Sequence, residues 1–221
     1  LKKINLFFEM KSMGWSFLLP LLVFLILIYQ LVTYKGLPVY IYKTLEFLIA
    51  PFTCWWIIYL YYEYFEGELQ ELIPCYPLSS WYHGIYRVLT FTFIYLLLLL
   101  SVLWFVHSVI EGQHYIPLLL YFGSLSWLFA AFGFLLVSIC RTIIPPIVII
   151  TTYVVTEFLT NGEVIPWYHA IAFVSSPFSI EDVAYVAVTN GLLSVFFLFL
   201  GHIILSLVLY KGRAAKRIMG V

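Results

Sequence analysis

The chain has 221 residues, of which 64% are hydrophobic, 20% aromatic and only 10% charged, and its formal net charge is zero. Soluble domains carry about a quarter charged residues, so this composition excludes a soluble globular protein. With no excess of either sign it also gives no electrostatic footing for a nucleic-acid partner.

The expectation is an all-α integral membrane protein forming a single transmembrane domain over residues 1–221. In chain order an amphipathic stretch comes first, with Leu6, Phe7, Phe8 and Met10 beside Lys3, Glu9 and Lys11. Apolar runs follow at about 15–34, 44–65, 86–109, 116–139, 143–160 and 186–210. Each is near the ~20 residues that cross a hydrocarbon core as a helix, which predicts six spans. The fifth opens with Pro145-Pro146, tolerated in a first turn whose N–H groups have no intrahelical partner. No small-residue cleavage site follows the first run, so it is expected to remain as a helix.

An even number of spans puts both termini on one side. Placing them in the cytoplasm leaves Lys2, Lys3, Lys11, Arg87, Arg141, Lys211, Arg213, Lys216 and Arg217 inside and only Lys35 and Lys43 outside, the positive-inside pattern. The expected location is therefore the cell membrane, multi-pass, and specifically a bacterial plasma membrane. Cys54, Cys75 and Cys140 fall in spans or on the cytoplasmic side, where they read as small apolar residues rather than a disulfide framework.

Between the second and third runs lies the only sizeable cytoplasmic segment. Leu69, Leu72, Ile73 and Tyr76 recur at i, i+3, i+4 and i+7, with Glu68, Gln70 and Glu71 off that stripe, which predicts a short amphipathic helix. Pro74 and Pro77 stop it. Its acidic face is wrong for lying on anionic headgroups, which favour Lys and Arg. A small rigid knob that receives a soluble partner fits better.

These residues resemble a known family. Glu66-Gly67-Glu68-Leu69-Gln70-Glu71-Leu72, then Tyr76-Pro77-Leu78-Ser79, then Arg87 are similar to the pattern that ABC transporter permeases of the type-2 (export) class carry between their second and third spans. The resemblance implies a cytoplasmic coupling helix that docks on an ATPase subunit, with Glu66, Gly67, Glu68, Leu69, Glu71, Leu72 and Pro77 as the coupling residues. The amphipathic start resembles the family's N-terminal elbow helix. The apolar stretch from Val164 to Phe178, broken by Pro166 and Pro177, is similar to the family's re-entrant extracellular hairpin before span six.

No Gly-Lys dipeptide occurs, so the phosphate-cradling loop of a P-loop ATPase is absent from this sequence. ATP and Mg are therefore expected on a separate ABC ATPase subunit, and this chain is not expected to be an enzyme. No adjacent carboxylates or His-x-x-x-His pair stand in the spans, so no metal is expected. The GSLSW stretch at 123–127 lacks the glycine that would follow the nucleophile of an intramembrane serine protease, so no catalytic residue is expected either.

Ionisable groups in spans are functional candidates because burying them in lipid is costly. Glu157 reads either as part of a pathway mouth or as a side chain reaching the headgroups. With Trp167, Tyr168 and Phe173 it forms the candidate mouth. His107 and His202 read either as functional groups or as neutral histidines bonded to a neighbouring helix.

The resemblance further implies a second copy or a similar permease. Phe17, Leu21, Phe24 and Ile28, at i, i+4, i+7 and i+11 of the first span, are the expected dimer stripe. Spans rich in aromatic residues and poor in charge suit an amphipathic or lipophilic substrate moved outward: an antimicrobial peptide, a lipid-linked molecule or a drug. The alternative is a non-transporting membrane immunity or scaffold protein that sequesters a hydrophobic peptide.

Overall fold

The computed structural model describes residues 6–33, 38–67, 80–110, 114–164, 168–172 and 180–219. Among them every regular element is helical. A short helix, α1 (Leu6–Ser12), leads through Gly14 at φ +56° into α2 (Gly14–Val32), whose first turn is a tighter 3-10 turn. Then come α3 (Pro38–Phe65), α4 (Tyr82–Val109), α5 (Tyr115–Cys140), α6 (Ile144–Thr160) and α7 (Ile180–Met219).

Five of these helices, α2, α3, α4, α5 and the Val183–Tyr210 part of α7, are long and apolar enough to cross a membrane. This is an all-α chain of the multi-pass membrane kind. The fifth predicted span corresponds to α6, an apolar helix of 17 residues that is shorter than the other five. Pro145 and Pro146 sit in its first turn as expected. The basic tail prolongs α7, which at 40 residues is about 60 Å long.

Two helices contain a wider π turn, and each has a local cause or consequence. In α3, Pro51 has no N–H to give to the carbonyl four residues back and its ring would collide there. The ladder widens over Leu45–Ile49, where the N–H of Ala50 bonds Leu45 five residues back. The Tyr95 hydroxyl of α4 donates to the Ile49 carbonyl at 2.5 Å. In α4 the wider turn is Tyr82–Tyr86, and here the Tyr61 hydroxyl of α3 donates to the His83 carbonyl at 2.9 Å.

Helix α5 is the post around which the others stand. It is the most deeply buried span, α2 and α7 are the least buried, and its widest contacts are with α7 and α3. Small residues allow the close approach that packing between helices in a bilayer relies on. A methyl group at Gly133 would stand 2.8 Å from Cys54 Cβ of α3, and one at Gly201 of α7 would stand 2.8 Å from the Phe134 ring.

Two helices end on a left-handed residue. α5 stops at Arg141, in the left-handed conformation at φ 55°. α6 stops at Asn161, φ 47°, followed by Gly162 at φ 81°, whose N–H returns to the Glu157 carbonyl. Asn and Gly are the residues that adopt this cap at little steric expense.

Candidate functional site

Polar side chains inside an apolar bundle are costly unless paired, so the buried ones mark where the chain does something other than fill space. The charged ones among the described residues, Glu46, Arg87 and Glu157, lie at two ends. Helix α6 measures their separation: Ile143, just before it, belongs to one end and Glu157 to the other, roughly 20 Å along the axis at about 1.5 Å per residue.

The first end is built around Arg87, at the start of α4 and only 4% exposed. Its Nη2 donates to the Glu9 carboxylate of α1 and, at 3.2 Å, to the Leu60 carbonyl of α3. The guanidinium lies over the Tyr64 ring at 4.5 Å and the Tyr61 ring at 5.6 Å. The Tyr64 hydroxyl is bonded to His83 Nδ1. One cation thus joins the amphipathic start, the end of α3 and the beginning of α4. Beside it, the Glu66 carboxylate accepts the Ile143 N–H at 2.9 Å, so an acidic side chain sits at the N-terminus of α6, where the exposed amides and helix dipole favour it.

The second end is built around two carboxylates that are both 0% exposed, Glu46 in the π turn of α3 and Glu157 near the end of α6. Glu46 accepts the Tyr121 hydroxyl of α5 at 2.6 Å, and the same hydroxyl oxygen accepts the Ala172 N–H at 2.8 Å. Glu157 is paired with His169 Nδ1 at 3.2 and 3.3 Å to its two oxygens. The Tyr153 hydroxyl of α6 accepts the Ala170 N–H at 3.2 Å. Tyr168 donates to Asn190 Oδ1 of α7 at 2.8 Å, and burial pushes its phenol up, keeping the proton it donates.

The predicted residues fall as follows. Glu66 and Gly67 stand at the Arg87 end, whereas Glu68, Leu69, Glu71, Leu72 and Pro77 lie outside the described residues. Glu157 and Tyr168 are both in the second cluster, and Trp167 and Phe173 lie outside the described residues. The Glu157 side chain is 0% exposed and turned into the bundle.

The stripe Phe17, Leu21, Phe24 and Ile28 is divided. Phe17 stacks on Trp56 with ring centroids 4.9 Å apart, Phe24 is buried against Tyr95, and Leu21 packs on the core. Ile28 alone faces outward. His107 lies against Trp104 and Tyr115, and His202 lies edge-on to Trp81. No group of three or more His, Cys, Asp or Glu that could hold a metal occurs among the described residues.

Sequence reasoning missed Glu46, Tyr121, Tyr153, His169 and Asn190. Glu46 carried the same signal that singled out Glu157, an ionisable residue inside an apolar run. The others gain meaning only through what they touch. Comparison with known protein families, with curated proteins and with solved structures found no match to this chain.

Proposed function

We propose that this chain is the membrane-spanning permease subunit of an ATP-driven exporter, with ATP and Mg held by a separate ABC ATPase and the Arg87 end in the cytoplasm. The observation that carries the reading is the bond from Ile143 N–H to the Glu66 carboxylate. Glu66, where the acidic segment begins, is thereby fastened to the residue that precedes α6. Arg87, in the helix that follows that segment, is fastened to α1 and α3. A push on the segment would reach four helices through a few short polar bonds, which is what a coupling element requires.

In this reading α6 also crosses the membrane, as the fifth of six spans, both termini are cytoplasmic, and the Glu157 end with residues 168–172 faces outward. The faces of the spans support an amphipathic or lipophilic substrate. An almost wholly apolar groove of about 760 Å³ runs between α4, α5 and α7, bounded by residues such as Phe93, Leu97, Trp127 and Leu192. A second copy or a similar permease completes the pathway, because closed two-fold pairs are the simplest assembly of identical chains. Ile28 is the residue of the predicted stripe left free to meet it.

Charge reversal of Glu68 and Glu71 to Lys tests the reading. It should abolish stimulation of the partner ATPase by substrate while the chain still inserts in the membrane. Protection of cells that persists without any ATPase would favour the sequestering alternative.

A further inference from the structure

Residues 168–172 are not a helix, yet they are held against the bundle at every position but one. Tyr168 is bonded to Asn190 of α7, His169 to Glu157 of α6, Ala170 N–H to Tyr153 of α6 and Ala172 N–H to Tyr121 of α5. The remaining residue, Ile171, is fully buried, and Ala170 nearly so. Four fastenings from three helices therefore hold five residues over Glu46 and Glu157.

The fastenings are unequal. Tyr168, Ala170 and Ala172 use neutral hydrogen bonds, each of which contributes modestly. His169 faces a carboxylate, and a bond to an ionised group is roughly twice as strong. It is also the one with a way out: the His169 side chain is 37% exposed while Glu157 has no exposure. Imidazole can leave for water, but Glu157, which has no exposure of its own, then loses the donor it has here, which is unfavourable. The segment is thus held shut by one carboxylate–imidazole pair.

We propose that residues 168–172 form a strap closing this end of the bundle, with the Glu157–His169 pair as its principal releasable fastening. Release admits water to Glu46 and Glu157, the two carboxylates it covers. The inference does not depend on transport, since it concerns only this chain's own contacts.

Amide hydrogen exchange of the full chain in lipid nanodiscs tests it, because protection reports the free energy of local opening. In the wild type the Ala170 and Ala172 amides, which donate to tyrosine hydroxyls, should exchange slowly. His169→Ala, at a partly exposed position, and Glu157→Gln should each speed them by about ten-fold or more, the loss expected of a charge-assisted bond. Tyr168→Phe should speed them less than either. Protection of 144–154 in α6 must be unchanged in all variants, which separates strap release from unfolding. Fast exchange of 168–172 in the wild type would overturn the strap. Unchanged exchange in both pair variants, or an equal gain in Tyr168→Phe, would overturn the role of the pair.

Discussion

The two ends of the bundle solve one problem in opposite ways. At the Arg87 end a buried cation is neutralised by Glu9, and helix residues hold it from three sides, with Leu60 and the Tyr61 and Tyr64 rings completing its shell. At the Glu157 end two buried carboxylates meet a five-residue irregular segment and tyrosines that bridge to its backbone. The first arrangement can be undone only by moving helices. The second can be undone by lifting a strap. A chain that must transmit force at one end and open at the other would have this asymmetry, and α6 is bonded to both ends, through Ile143 and through Glu157.

The contrast can be broken first at Arg87. Arg87→Ala leaves Glu9, whose side chain is only 13% exposed, with no cation, and removing one partner of a buried pair costs up to about 3–5 kcal/mol. Thermal unfolding in detergent should show the largest loss of any substitution named here, and Arg87→Lys should recover only part of it, since an ammonium cannot replace a planar fork stacked on tyrosine. A loss at Arg87 no greater than at Tyr121 would remove the claim that this end is the locked one.

Tyr121→Phe comes next. It takes from Ala172 its tyrosine acceptor and from Glu46 one hydrogen-bond donor, and the loss of a partner by a buried group costs about 1–3 kcal/mol. The same size is expected of Gly133→Ala, where the added methyl meets Cys54 at 2.8 Å and overpacking costs about 1–3 kcal/mol. The two are told apart by hydrogen exchange: Tyr121→Phe should loosen 168–172 and leave the middle of α5 protected, whereas Gly133→Ala should loosen the α3–α5 contact. The smallest effect is expected from Glu66→Ala, a lost helix-terminal acceptor worth about 1 kcal/mol, with its unprotected amides confined to the first turn of α6.

The helices were legible in the sequence because long apolar runs leave the backbone no other way to satisfy its hydrogen bonds in lipid. The double proline opening α6 and the basic residues flanking the spans were legible for the same kind of local reason. The sites were legible only in part. Glu157 could be singled out as an ionisable group, yet which way it faces depends on helix phase and neighbours. The π turn at Leu45–Ile49 shifts that phase by a residue, so no regular helical count would have carried Glu46 to Tyr121, 75 positions along the chain. Arg87 reads as one more interfacial cation until Glu9, 78 positions away, is seen against it. The α2 stripe shows the converse: apolar spacing marks a common face, and in a bilayer it does not say whether the face meets lipid, another chain or, as for Phe17 and Phe24, its own core.

The claim that the Arg87 end receives a push from an ATPase is tested most directly by reconstitution. The chain is placed in liposomes with an ABC ATPase of the kind proposed as its partner, and ATP-dependent movement of a lipophilic cationic dye is followed for wild type and for the Glu68→Lys/Glu71→Lys variant. The account predicts dye movement that requires both ATP and the ATPase and that is lost in the variant while the ATPase still hydrolyses ATP. Dye movement at the wild-type rate in the variant, or from liposomes without the ATPase, would contradict it.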